Sequence, residues 1–223
     1  MYKPLFDGDK GMVNVSLKEG KARPAYTGEF ESDILCQECE NKISKWESYA
    51  RTVLYGGKLP RGSLVTVQHQ KNQNDAEFFY VQGLDYKTFK LFLLSILWRS
   101  SISTRPFFTN VSLGAYEEKI RRMLMAEDPG AASAYPCFIS TYKRTTLPTE
   151  IVSGPRRVKY KNGTAYTVLI HGVLYYFFIT HKMNEPWILE SALSDQGELR
   201  LVLMPEENGK RLLNTFFGKK VFI

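Results

Sequence analysis

The chain has 223 residues, enough for one generous domain or two small ones built around a real core. Hydrophobic residues make up 43% and charged residues 24%, and 14 Phe with 13 Tyr exclude long disordered stretches. The formal charge of +7 favours polyanionic partners such as nucleic acid, DNA or RNA, or anionic lipid. The apolar runs at 91–98 and 173–179 fall well short of the ~20 residues that cross a bilayer, so no membrane partner is expected.

The first 33 residues mix glycine with charge and promise little beyond a short strand near 12–17. Cys36-Gln37-Glu38-Cys39 then opens into an amphipathic helix over 40–55, in which Ile43, Trp46, Tyr49 or Ala50, and Val53 or Leu54 share one stripe and Gly56-Gly57 supplies the stop. Alternating segments at 63–68 and 77–82, separated by a polar stretch at 71–75, predict a hairpin. Residues 86–102 are apolar nearly all round, the mark of a buried central helix. A second, amphipathic helix at 113–126 ends at Asp128-Pro129-Gly130, and the small, polar residues 130–136 read as a linker.

Beyond it the character turns β-rich. A strand is predicted at 138–143, then a meander at 156–160, 164–170 and 173–180, turning at Asn162-Gly163 and His171-Gly172. Two more strands are expected at 187–193 and 198–204, and a short helix at 206–217 closes the chain. The predicted class is α+β, with a zinc-knuckle-like, helical region at 1–135 followed by an antiparallel sheet at 136–223.

Zinc takes four soft or borderline ligands in a tetrahedron, and Cys36 and Cys39 supply one edge of it. The remaining soft donors are Cys137, His69, His171 and His181. The other reading of the pair is two reduced thiols packed at a helix start; no βαβ pattern surrounds them to favour a redox motif. Three cysteines and a start, Met1 to Gly8, without an apolar signal segment make the cytoplasm the expected address. No nucleophile elbow and no phosphate-cradling glycine loop is present. Glu117 and Glu118 stand at helical spacing from Arg121 and Arg122, which predicts an exposed ion-paired face. Lys143, Arg144, Arg156, Arg157, Lys159 and Lys161 form a basic strip with Tyr142 and Tyr160 interleaved. Such a strip can track phosphates and stack bases, or it can protect an edge strand from aggregation.

Tyr2-Lys3-Pro4-Leu5-Phe6, residues 33–41 with Cys36, Cys39 and Asn41, Glu47-Ser48-Tyr49-Ala50 and residues 53–57 together resemble bacterial HNH-endonuclease-like proteins, over roughly the first 57 residues. That family's pattern runs from a first CxxC through a Ser-His-Ile-Ile-Pro-like segment and a Tyr-Lys-Pro-Leu-like segment to a second CxxC followed by Asn. The resemblance implies that Cys36 and Cys39 are the second zinc pair and that Asn41 lies near the last polar position. The first pair and the histidine that serves as general base are not in this sequence. It therefore implies a catalytically incomplete member that binds nucleic acid or a protein partner, with no catalytic residue. The alternatives are a structural or interaction module without nucleic acid, and an HNH nuclease truncated at its N-terminus.

Overall fold

The computed structural model describes residues 12–16, 21–25, 31–32, 34–59, 61–142, 147–161 and 163–217. The strands are β1 (Met12–Ser16), β2 (Lys21–Ala25), β3 (Thr66–Lys71), β4 (Glu77–Gln82), β5 (Cys137–Tyr142), β6 (Ile151–Ser153), β7 (Arg156–Tyr160), β8 (Gly163–Ile170), β9 (Val173–Phe178) and β10 (Leu199–Met204). The helices are α1 (Gln37–Tyr55), α2 (Tyr86–Ile102), α3 (Ala115–Ala126), α4 (Pro186–Ser191) and α5 (Glu206–Phe217), with a 3-10 turn at Pro106–Phe108.

The strands form a single sheet in the order β2-β1-β6-β8-β9-β5-β10-β4-β3, with β7 paired to β8 alongside β6. Two corrections to the sequence reading follow. The sheet is mixed, because β1 runs parallel to β6 and β10 parallel to β5. It is also not confined to the C-terminal part: β1 to β4 come from before residue 135 and share the sheet with the later strands. No helix among the described residues is long and apolar enough to cross a membrane.

Period-two alternation explains how the sheet is covered on both faces. Tyr166, Val168 and Ile170 of β8, with Tyr175 and Phe177 of β9, face a core shared with Trp46 and Ala50 of α1, Leu93 and Leu97 of α2, and Ile120 and Leu124 of α3. On the other face Leu169 and Leu174 pack with Leu213 and Phe216 of α5. Ala165 and Phe178 pack there with Ile188 of α4. The hairpin from β8 to β9 turns on His171 and Gly172, both at positive φ (48° and 75°), as the sequence predicts.

α2 is the buried central helix expected from its all-round apolarity, and it has the predicted bounds. Asp85 caps it, its Oδ1 accepting the Thr88 N–H at 3.0 Å. Residues 130–136 are not a loose linker. Ala134, Tyr135 and Pro136 are buried, and the Tyr135 N–H donates to the Thr180 carbonyl at 2.8 Å. Residues 186–191 form α4 where the sequence suggests a strand. Pro186 has the fixed φ of a first helical turn, and so short an apolar run carries no period of its own.

Candidate nucleic-acid interface

β7 pairs with β8 from Arg156↔Thr167 to Tyr160↔Gly163, and among the described strands it has no second partner. The pleat divides its side chains between the two faces of the sheet. Arg157, Lys159 and Lys161 stand on one side with Gly163 and Thr164, around a solvent-open recess of about 550 Å³. There the Arg157 guanidinium donates to Thr164 Oγ1 at 3.3 Å. Lys161 pairs with Glu185, and that hydrogen bond holds its ammonium above the usual lysine range. Val158 and Tyr160 project to the opposite side, towards Ala165 and Phe178. Arg156 belongs with them: burial raises the Tyr176 phenol, and the Arg156 guanidinium opposes that rise. Over 156–161 the expected strip is therefore split between two faces. Lys143 and Arg144 lie outside the described residues.

On the second side, between α4 and α5, a cleft of about 620 Å³ opens over β5, β9 and β10. Phe138, Tyr160, Tyr176, Phe178 and Trp187 line it, and Arg211 brings charge to it. Trp187 is the hub, its ring 6.2 Å from Tyr160, 6.3 Å from Phe138 and 6.5 Å from Phe178 between centroids. It is nevertheless 50% exposed. Reading 187–193 as a strand conceals this grouping. The signal that could have revealed it is Pro186 directly before Trp187, which starts a helix and leaves the indole on its exposed first turn.

Cys36 and Cys39 lie where the sequence puts them, at the start of α1, with Sγ atoms 3.3 Å apart. Cys36 is exposed at the N-cap, and the backbone N–H of Cys39, followed by the Cys39 thiol, holds its thiol below the usual range. The hydrogen bond with Cys36 and partial burial raise Cys39, whose sulfur also touches Met125 Sδ at 3.8 Å. Two thiolates each ~2.3 Å from zinc would sit ~3.8 Å apart, so a small rotation would let this pair bind the metal. Among the described residues no group of three His, Cys, Asp or Glu is placed to hold one. Of the other soft donors, Cys137 is buried on β5, His69 Nε2 meets Glu77 at 3.0 Å on β3, His171 packs edge-on to Tyr55, and His181 lies by Tyr135.

The remaining candidates are quiet. Asn41 Oδ1 accepts from Gln37 Nε2 at 3.0 Å. Glu118 is paired with Arg121 at 2.6 Å and Arg122 at 3.0 Å, and their hydrogen bonds hold its carboxyl down to about 2. This is the ion-paired face expected; Glu117 turns instead to the Ser101 hydroxyl. Comparison with protein-family models, with curated proteins and with solved structures finds no match in any of the three.

Proposed function

We propose that this chain is a non-catalytic nucleic-acid-binding protein that takes phosphates along β7. The observation that carries the reading is the recess of Arg157, Lys159 and Lys161 on a strand whose outer edge has no partner among the described strands. A net charge of +7 adds a general attraction for polyanions. Sequence-independent contacts of this kind release counterions, so affinity falls steeply as salt rises. Binding rather than hydrolysis suits the site, since His69, His171 and His181 are each set against a partner other than Asn41.

In the same reading, which keeps the HNH-like ancestry, Cys36 and Cys39 would supply two thiolates of a zinc site and brace the start of α1. Free thiols throughout suit a reducing compartment such as the cytoplasm. The test is a titration of labelled DNA and RNA oligonucleotides at several salt concentrations, with the natural chain and with Arg157→Glu/Lys159→Glu. The natural chain should bind with a negative slope of log affinity against log salt, and the charge-reversed chain should lose most of both. No binding at low salt ends the proposal. Zinc content by mass spectrometry, with Cys36→Ser as control, tests the metal separately.

A further inference from the structure

We propose that the cleft between α4 and α5 is a base-stacking pocket, which makes the ligand of the β7 edge a single-stranded nucleic acid. This inference rests on the reading of β7 as a phosphate track. The walls are aromatic rings from four elements, Phe138 on β5, Tyr160 on β7, Tyr176 and Phe178 on β9 and Trp187 on α4. Their mutual edge-to-face packing, at 61–71° between planes for Phe138–Tyr176, Phe138–Trp187 and Tyr160–Trp187, keeps them from collapsing into a closed stack. Trp187 therefore keeps half its surface towards solvent, an unfavourable arrangement for the chain alone that a planar ligand would relieve.

Size and charge select the occupant. At about 620 Å³ the cleft falls within the ~300–1,000 Å³ of ordinary ligand pockets. Arg211 lines it and Arg156 lies by Tyr176, so any occupant meets positive charge. The carboxylates on either side of Trp187 are engaged elsewhere, Glu185 with Lys161 and Glu190 with Arg200 at 3.4 Å. Ser140, Asn208 and Thr215 add a few hydrogen-bonding groups, enough to meet a base edge. A neutral apolar ligand would leave the cations without purpose, and a duplex keeps its bases stacked on one another. An unstacked base with its phosphate answers both the rings and the charges.

Because β7 carries Tyr160 on the cleft side and Lys159 and Lys161 on the other, one strand joins the two halves of the site. The test uses the full chain with a dT12 oligonucleotide, a 12-unit abasic sugar-phosphate strand of equal charge, and a 12-bp duplex. Trp187 emission, isolated by subtracting the signal of Trp187→Phe, reports occupancy, since Trp46 and Trp98 are buried. Binding of dT12 should quench it and the abasic strand should not. Trp187→Ala should weaken dT12 roughly ten-fold and leave the abasic strand unchanged. Asn208→Trp, a substitution on the exposed side of α5 that fills the cleft mouth, should do the same with the cleft's own aromatic residues left unchanged in sequence. Equal affinity for dT12 and the abasic strand, or tighter binding of the duplex, overturns the stacking pocket while leaving the phosphate track intact. Failure of all three probes to bind overturns both.

Discussion

Lys90 offers a direct test of how the core is built. It lies in the middle of α2 with 1% of its surface exposed, and its ammonium donates to the carbonyls of Ala134 at 2.7 Å and Tyr135 at 3.2 Å. Among the described residues no carboxylate pairs with it. Burial brings its pKa down from 10.5 to about 8, opposed by Cys137, whose own thiol burial pushes up. Between pH 8 and 10.5 the unfolded lysine holds its proton while the folded one has lost it. The unfolded state then binds more protons, and stability rises with pH across that window. Below pH 8 both states are protonated and the slope vanishes.

Moving from pH 7.5 to 9.5 should raise stability by about 2 kcal/mol through this group alone. Lys90→Met keeps the length of the side chain but cannot titrate, and it strips two buried carbonyls of their donor at about 1–3 kcal/mol. Urea unfolding of both proteins at the two pH values gives the answer, because other titrating groups cancel in the difference. The natural chain should gain on the variant as pH rises. An unchanged gap would mean that Lys90 reaches water in the folded state, and the account of its burial would fail.

Other expectations are simpler. Iodoacetamide at pH 7.5 should alkylate Cys36 first, Cys39 more slowly and Cys137 only after unfolding, as followed by peptide mass spectrometry. Gly197→Ala should cost about 1–3 kcal/mol in urea unfolding, because φ is +73° there and a Cβ would stand 2.1 Å from the Leu84 carbonyl oxygen. Asp85→Ala removes the cap of α2 and should cost about 1 kcal/mol by the same measurement.

What the sequence made legible is the set of elements whose period is long and clear. α2 and α5 have the predicted bounds, and α1 and α3 begin or end within a few residues of them. β2 escaped because Ala22, Arg23 and Pro24 include no β-branched or aromatic residue; among the described strands it pairs with β1 alone. β6 escaped because three residues carry no pattern. The two parallel pairings join segments far apart in the chain, which no local signal encodes. The turn expected at Asn162-Gly163 is displaced, since Gly163 already belongs to β8 and pairs with Tyr160. A one-residue slip would exchange the faces of β7, and burial of Val158 and Tyr160 against Ala165 and Phe178 selects the observed register. Arg157, Lys159 and Cys36 were visible as residue types in suggestive spacing. The aromatic cleft was not, because its rings come from β5, β7, β9 and α4 and meet only in three dimensions.

The open edge of β7 follows from the two residues before it. β1 runs beside β6 as far as Val15↔Ser153, and the Gly154 N–H still donates to the Val15 carbonyl at 2.9 Å. A Cβ at Gly154 would stand 2.8 Å from the Phe107 carbonyl oxygen, so only glycine lets the chain pass this close to the 3-10 turn. Pro155 then has no N–H to offer, and among the described strands pairing on that side stops. From Arg156 onward the strand keeps β8 on one edge, and no other described strand pairs with the second. A bare edge invites association with other strands unless charge guards it, and Arg157, Lys159 and Lys161 provide that charge. Protection alone does not require an exposed tryptophan at the far side of the same strand. Charge on one face and rings on the other are what a strand needs if a flexible polyanion is to wrap its edge, phosphates to the lysines and bases to the cleft.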